Sequence, residues 1–275
     1  MTSPTVAIAF GGGGARGLAH IHVIKALEDL GITPVAVAGT SIGSIIGAGL
    51  AAGMTSQEMS NYAVDTFSDT GEVLSRFWSM RPEKIGDVFG FSSRTFGSID
   101  PVKALRAFVP EQIPGTFDEL NIPMSAVATD FYGQGGVVFD QGDLFEALAA
   151  SSALPAVFKP VTRNGTTLVD GGIVNSVPYE LLFGKADIVI AVDVVGRPKR
   201  SKGNIPTRIE ALSGASQLMM QATTRLKLEM KPPDVYIAPN VEGIVVLDFL
   251  RVRSILSDTS GTVEQAKQAI EKALG

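Results

Sequence analysis

The stretch VAVAGTSIGSIIGAGLAAG, residues 35–53, constrains the fold more than any other part of the chain. It lies within an uncharged segment, residues 32–54, whose length alone would suit a membrane span. Pro34, five glycines and four hydroxyl side chains interrupt that segment, and it divides into a β-rich half and a Gly/Ala-rich half. We therefore predict a buried strand, a tight turn at Ser41 and a buried helix in place of a transmembrane helix.

Hydrophobic periodicity predicts alternating strands and helices along the chain. Residues 5–10 form a β-rich apolar run, residues 20–30 have apolar side chains at helical spacing, and Gly31 stands at a helix C-cap position. This order repeats and predicts an α/β fold with a mainly parallel sheet covered by helices. The other predicted strands are 35–38, 124–129, 136–139, 166–169, 187–194 and 235–238, and the other helices are 42–52, 101–108, 143–152, 209–231 and 262–274.

Composition limits the partners and the compartment. The 275 residues are 45% hydrophobic and 19% charged, so the chain can bury a large core, and without repeats or linkers we expect one domain over residues 1–275. The net charge of −5 argues against nucleic acid as a partner. The absence of cysteine excludes disulfides. The N-terminus has no basic and apolar leader, so we expect a cytoplasmic protein without a signal peptide or transmembrane helix.

Residues 67–99 break the periodic pattern. Aromatic residues, including Phe77 and Trp78, lie there among Gly, Ser and Arg without a regular spacing. Two interpretations remain open: a loop that packs its own aromatic side chains, or a mobile cover that touches lipid surfaces. A second segment without regular structure, residues 197–204, is basic and is predicted to be an exposed loop.

A glycine-rich loop follows the first predicted strand. Residues 12–17 fit the G-x-G-x-x-G pattern of loops that bind anions through bare backbone N–H groups. Dinucleotide-binding proteins also need an acidic residue at the end of the second strand. Residues 38–41 stand there in this chain and offer Ser41 instead. We therefore favour a loop that stabilises an anion formed at Ser41 over a dinucleotide site or a purely structural turn.

Ser41 is the candidate nucleophile. It is the central residue of Gly39-x-Ser41-x-Gly43, placed between a predicted strand and a predicted helix. Such a turn is too tight for large neighbours, and it holds the serine Oγ at the carboxyl end of the sheet. The helix that begins at Ile42 directs its N-terminal dipole at any oxyanion formed there.

The order of residues excludes the usual histidine bases for this serine. The two histidines, His20 and His22, both precede Ser41, which rules out any scheme with a histidine after the nucleophile. The first aspartate, Asp29, follows both histidines and would lie ~13 Å from His20 along the same helix, too far to orient it. A carboxylate therefore remains as the base.

Asp170 is the preferred carboxylate. It ends a predicted strand, as the residue before Ser41 does, and it is followed by Gly171 and Gly172, which allow close backbone approach. An aspartate in an isolated D-G-G sequence would otherwise indicate a turn. Asp193 also lies in an apolar strand but lacks a glycine turn after it, so it ranks second.

Five segments of the chain resemble the patatin-like phospholipase family, most closely its small bacterial members. The segments occur in the same order as in the family and cover residues 6–195, whereas residues 196–275 are less diagnostic. Ser176 is a departure, because relatives often have a second asparagine at this position, after Asn175. The segments are GGGGARGLAHIHVIKAL from Gly11, AGTSIGSIIGA from Ala38, ASSALPAVFKPV from Ala150, LVDGGIVNSVP from Leu168 and ADIVIAVDV from Ala186.

The resemblance implies a three-layer α/β/α fold and hydrolysis of lipid acyl esters by a Ser–Asp dyad, with Ser41 as nucleophile and Asp170 as general base. No set of metal ligands with suitable spacing appears in the sequence, so we expect no metal and no cofactor. We expect a lipid or acyl-ester substrate and peripheral contact at the inner membrane face. An acyltransferase or thioesterase with the same dyad and a catalytically silent lipid-binding regulator stay open as alternatives. The implied oxyanion-hole residues are Gly12, Gly13 and Gly14, and the supporting motif residues are Arg16, Gly17, Gly39, Gly43, Gly171 and Gly172.

Overall fold

The computed structural model describes residues 4–71, 99–155, 157–198 and 205–275, without the side chains of residues 208–210, 212 and 213. The two segments predicted as an aromatic cover and as a basic loop therefore lie mostly outside the described residues. At the start of the aromatic segment, the Phe67 ring stacks on Phe108 with 5.6 Å between centroids. At its end, Ile99 forms a β-bridge with Phe158. Both described ends of this segment are thus packed into the fold.

A mixed sheet forms the centre of the described structure. The described strands are β1 (Val6–Phe10), β2 (Ala36–Thr40), β3 (Met124–Asp130), β4 (Gly135–Phe139), β5 (Val161–Arg163), β6 (Thr166–Asp170), β7 (Ile188–Val192) and β8 (Val235–Ile237). Strands β3, β2, β1, β7 and β8 are parallel neighbours, and their Val, Ile and Ala residues are largely buried on both faces. Their order is β5-β6-β3-β2-β1-β7-β8, with β4 paired to β3.

Helical layers cover the two faces of the sheet. Alternate side chains of β1 pack against different layers, because successive side chains of a strand point to opposite faces of the sheet. The described helices are α1 (His20–Asp29), α2 (Ile42–Ala51), α3 (Ser56–Phe67), α4 (Pro101–Phe108), α5 (Leu144–Ser151), α6 (Arg208–Met230), α7 (Val252–Asp258) and α8 (Thr262–Leu274). Ile8 and Phe10 pack into the larger cluster, with α1, α2, α3, α5, α7 and α8, whereas Ala7 and Ala9 pack with Tyr179, Leu182 and, from α6, Leu228.

The elements predicted from periodicity are confirmed to within two residues at each end. The uncharged segment 32–54 contains β2, the turn at Ser41 and α2, and no helix among the described residues is long and apolar enough to cross a membrane. Among the described α-helices and strands, α3, α7 and β5 were not predicted. A signal for α3 was present, because Thr55 and Glu58 form a capping box at its start.

Strands β2 and β6 meet end to end along one edge of β3. Strand β4 pairs with β3 from Ala126 to Asp130, and because Ala126 and Val127 pair with β2 as well, β2 must lie on the opposite edge. The same reasoning places β6, which pairs with residues 128–130, on the edge that β2 leaves free. The end of β2 and the end of β6 therefore face each other. Asp170 ends a strand, as the sequence predicts, and this strand, β6, runs antiparallel to β3.

Gly43 in the first turn of α2 offers a test of this close packing. A Cβ at Gly43 would lie 2.2 Å from the Phe10 carbonyl oxygen, in the centre of the sheet, where the backbone cannot retreat. We expect Gly43→Ala to lower the free energy of unfolding by ~1–3 kcal/mol. Gly49→Ala, in the same helix, is the control, because the nearest atoms to its Cβ would be the flexible ends of Met59 and Met54. Thermal unfolding should show a lower Tm for Gly43→Ala alone, and equal Tm values would contradict the packing argument.

Candidate active site

The turn at Ser41 has a strained backbone that its neighbours hold in place. Ser41 has φ 54° and ψ −129°, a conformation that costs a non-glycine residue about 1–3 kcal/mol. Its N–H donates to Ser151 Oγ at 2.8 Å, and that hydroxyl donates to the Val127 carbonyl at 2.6 Å. The start of α2 and the end of α5 are thus joined through the candidate nucleophile.

The flanking glycines allow this turn to close. A Cβ at Gly39 would lie 2.5 Å from Ser44 Cα and 2.6 Å from the Gly43 carbonyl oxygen. Both contacts are with backbone atoms, so no rotation of a side chain could relieve them. The small residues on both sides of Ser41 therefore follow from the path of the chain.

Ser41 and Asp170 are brought into direct contact. The Ser41 hydroxyl donates to Asp170 Oδ2 at 2.6 Å, while Oδ1 accepts the Gly172 N–H at 2.8 Å. The Asp170 backbone is fixed as well, because its N–H donates to the Ala153 carbonyl at 3.0 Å and its own carbonyl accepts the Thr129 hydroxyl at 2.8 Å. Both carboxylate oxygens thus have a defined orientation.

Gly171 makes the close approach of this turn to β3 feasible. A Cβ at this position would lie 2.0 Å from the Val127 carbonyl oxygen. This is the same residue that accepts the hydrogen bond from Ser151. The turn after Asp170 and the support of Ser41 therefore converge on one point of β3.

Burial sets the acidity of Asp170. The residue is only 6% exposed, and this desolvation raises the pKa of its carboxyl to about 6. The hydrogen bonds from the Ser41 hydroxyl and the Gly172 N–H act in the opposite direction and lower the pKa. The carboxylate is therefore ionised at neutral pH, yet basic enough to take up a proton from a group in contact with it.

The glycine loop passes next to Ser41. A Cβ at Gly12 would lie 3.3 Å from Ser41 Cβ, so the absent side chain leaves space beside the hydroxyl. The Gly12 N–H donates to the Ser176 carbonyl at 2.9 Å, whereas no described residue accepts a hydrogen bond from the N–H groups of Gly13 and Gly14. The loop therefore has two adjacent donors without a protein partner among the described residues.

Arg16 and Gly17 support the loop from behind. The buried Arg16 guanidinium donates from Nε to the Ile244 carbonyl and from Nη1 to the Val195 carbonyl, both at 2.8 Å, and burial lowers its pKa. A Cβ at Gly17 would overlap the Ile42 side chain at 2.4 Å. Arg16 thus ties the loop to two distant segments, and Gly17 lets it pack on the start of α2.

The histidines and the second candidate base are engaged elsewhere. His20 Nε2 bonds the Gly11 carbonyl at 2.8 Å, and burial lowers the His20 pKa to about 4. His22 Nε2 bonds the Leu256 carbonyl at 2.9 Å. Asp193 accepts the Tyr236 hydroxyl at 2.7 Å, beyond the end of β7, two strands away from β2. Of the carboxylates considered from sequence, Asp170 is the one that the fold brings to Ser41.

Helix α6 contributes contacts that sequence reasoning missed. Lys227 Nζ donates to Asn175 Oδ1 at 2.6 Å, and the Asn175 carbonyl accepts the Thr40 hydroxyl at 2.8 Å. The Ser176 hydroxyl, the departure from the family pattern, hydrogen-bonds the Thr224 hydroxyl at 2.8 Å. No motif marks these residues of α6, because their partners lie about 50 positions earlier in the chain. Within the described residues no group of three His, Asp or Glu side chains could hold a metal ion.

Comparison with known proteins gives relatives along most of the chain. An uncharacterised NTE family protein of Mycobacterium tuberculosis is 36% identical over 196 residues, which are 71% of this chain and 50% of the relative. Human patatin-like phospholipase domain-containing protein 6 is 33% identical over 221 residues, 78% of this chain and 15% of the relative. The chain thus spans about half the length of the mycobacterial protein and a small part of the human one.

A solved structure shares the fold of this chain, and a family model matches its sequence. The crystal structure of VipD from Legionella pneumophila is 14% identical, with a TM-score of 0.53 over 98% of this chain and 67% of that one, and shows the same fold. The model described as patatin-like phospholipase matches residues 8–183, a span that includes the glycine loop, Ser41 and Asp170. With well over half of its residues matched by that model, the chain belongs to the patatin-like phospholipase family.

Proposed function

We propose that this protein is a serine lipid acyl hydrolase of the phospholipase A or lysophospholipase type. The observation that carries the proposal is the 2.6 Å hydrogen bond from Ser41 Oγ, at a strained turn, to Oδ2 of the buried Asp170. A hydroxyl in contact with a carboxylate of raised pKa is the arrangement that nucleophilic catalysis needs. Membership of the patatin-like phospholipase family supports a lipid ester as the substrate.

The first chemical step is attack by Ser41 on the carbonyl carbon of an acyl ester. As the bond from Oγ to carbon forms, the hydroxyl proton passes to Asp170 Oδ2, which already accepts its hydrogen bond. The carbonyl π electrons move to oxygen and give a tetrahedral oxyanion. Gly172 holds the other carboxylate oxygen and keeps Oδ2 directed at Ser41 during the transfer.

The glycine loop stabilises that oxyanion in our proposal. We assign the donor role to the N–H groups of Gly13 and Gly14, since the Gly12 N–H already donates to Ser176. Gly12 then contributes by leaving space beside Ser41, because it has no side chain. One donor of this kind contributes about 10²–10³ in rate, and the N-terminal dipole of α2 acts in the same direction.

Collapse of the intermediate completes the cycle. The bond to the leaving alcohol breaks, the alcohol takes the proton from Asp170, and an acyl ester remains on Ser41. A water molecule then attacks this ester, with Asp170 again accepting a proton, and the fatty acid leaves as Ser41 regains its hydrogen. A Ser–Asp pair can perform both halves because the same carboxylate alternates between base and acid.

Removal of either dyad residue tests this mechanism. We expect Ser41→Ala and Asp170→Asn to lower the turnover of a soluble p-nitrophenyl ester by at least about 10²–10⁴ with circular dichroism unchanged, because nucleophile or base is lost. Asp193→Asn is the matched control and should retain activity, since Asp193 belongs to the Tyr236 contact. More than a tenth of wild-type turnover in folded Asp170→Asn would rule out Asp170 as the base.

Mass spectrometry of products from mixed phospholipids, lysophospholipids and neutral lipids would identify the substrate.

The raised pKa of Asp170 predicts opposite pH effects on activity and stability. Activity requires the carboxylate, so kcat/KM should fall as the pH decreases through about 6. The free energy of unfolding should change in the opposite direction. Because the pKa of Asp170 in the folded protein lies above the ordinary 3.8, protonation of this carboxyl stabilises the folded protein at low pH, and that stabilisation is lost as the pH rises to about 6. The Tm of Asp170→Asn relative to wild type should therefore increase between pH 4 and pH 6 and then level off. A constant difference would show that the carboxyl is not perturbed.

A double histidine variant separates Asp170 from imidazole chemistry. Both histidines bond main-chain carbonyls, so His20→Asn with His22→Gln should lower Tm but keep turnover within about tenfold, as expected for a lost hydrogen bond. The acid limb of its pH profile should stay near 6, because that limb belongs to Asp170. A thousandfold loss of kcat in a folded variant, or disappearance of the limb, would instead assign the proton transfer to a histidine.

A further inference from the structure

A segment of the C-terminal part lies directly against the candidate oxyanion loop. The Ala15 N–H donates to the Val246 carbonyl at 2.8 Å, and a Cβ at Gly14 would lie 2.2 Å from the same oxygen. Arg16 binds the neighbouring Ile244 carbonyl. Residues 244–253 are therefore held in a fixed position at the glycine loop, although no sequence motif singled them out.

This segment exposes apolar side chains that its packing does not need. Ile244 and Val252 are buried at 5% and 1% exposure, and the Phe249 ring packs on Phe67 with 5.2 Å between centroids. These inward residues anchor the segment. The outward residues are Val245, Leu247 and Leu250, which are 59%, 58% and 48% exposed. We call these three side chains the outer apolar patch.

Cationic side chains adjoin the patch. Leu250, Arg251 and Arg253 line a cavity of about 230 Å³ together with two serines, Ser68 and Ser254. Arg251 is paired with Asp248 at 3.1 Å, while no carboxylate among the described residues forms an ion pair with Arg253. The net charge of −5 does not prevent contact of Arg253 with an anion, because charges beyond ~8–10 Å are screened at physiological salt. Arg253 therefore offers an exposed cation that no described carboxylate pairs with.

We propose that the outer apolar patch and Arg253 dock this protein on the surface of a phospholipid bilayer, beside the site from which Ser41 would take its substrate. The proposal rests on the proposed function. Three side chains are too few for a stable protein interface, which needs 20–30 residues a side, roughly 800 Å². A lipid surface needs only a few inserted apolar side chains and a cation at the level of the phosphates. The fixed contact with Gly14 and Ala15 places this surface next to the catalytic loop.

Vesicle binding in a Ser41→Ala background tests the proposal without hydrolysis of the vesicles. The probes are phosphatidylcholine vesicles and vesicles that also contain phosphatidylserine. Val245→Ser, Leu247→Ser and Leu250→Ser combined should weaken binding to both at least tenfold, the factor that ~1.4 kcal/mol of lost apolar burial gives. In the active protein, the same triple change should lower activity on vesicles at least tenfold more than activity on the soluble ester.

Helix α6 provides the matched control for the patch. Its Leu218, Met219 and Leu226 are 57%, 63% and 59% exposed, so the corresponding triple serine variant removes a similar apolar surface elsewhere. This control should change vesicle affinity by no more than about twofold, as usual for a surface substitution. An equal loss in the α6 variant, or no loss in the patch variant, would overturn the proposal.

Arg253→Gln tests the charge contribution. It should weaken binding to the anionic vesicles by about fivefold, the equivalent of ~1 kcal/mol per basic residue, and leave binding to phosphatidylcholine unchanged. Arg225, an exposed residue of α6, provides the control, and Arg225→Gln should leave binding to both kinds of vesicle unchanged.

Two further outcomes would reject a bilayer as the occupant: no binding of the Ser41→Ala protein to either vesicle, or a dimer in sedimentation that the patch variant converts to a monomer. Since these measurements need no catalysis, loss of soluble ester hydrolysis would refute the proposed function separately.

Discussion

The hydrogen bond between Ser41 and Asp170 depends on a single topological feature, the end-to-end meeting of β2 and β6 along one edge of β3. Strand β2 leaves that edge at Thr40 and turns into α2. Strand β6 enters the same edge from the opposite direction and stops at Asp170, beside Ala128. Two residues 129 positions apart thereby face each other. Their neighbours serve largely to keep this junction closed.

Holding the junction has a physical cost, and the structure offsets it with directional contacts. Ser41 has a positive φ, and the Asp170 carboxyl is nearly inaccessible to water. The Ser41 N–H donates to the Ser151 hydroxyl oxygen, and Asp170 accepts hydrogen bonds from Thr129 and Gly172. A strained serine beside a desolvated carboxylate is less stable than a relaxed pair would be, and the same two properties prepare a proton transfer.

The C-terminal part of the chain stabilises the site through direct contacts, although it contains no recognisable sequence motif. Val246 accepts the hydrogen bond of the loop residue Ala15, and Arg16 reaches the Ile244 carbonyl. On the other side of the sheet, α6 contributes Lys227, whose ammonium group holds Asn175 and through it the Thr40 hydroxyl. Long-range contacts of this kind leave no pattern in the sequence, because each joins main-chain groups or single ordinary side chains of distant segments.

The sequence alone determined the alternation of strands and helices, the elbow at Ser41 and, from the position of two histidines, the preference for a carboxylate base. These features are local or follow from chain order, so periodicity, glycine spacing and counting reveal them. Only the tertiary structure decided that β6 is antiparallel, that the Gly12 N–H is already bonded while those of Gly13 and Gly14 meet no described acceptor, and that Asp193 bonds Tyr236. Strand direction and hydrogen-bond partners depend on which distant segments pair, and pairing between distant segments is fixed only when the whole core assembles.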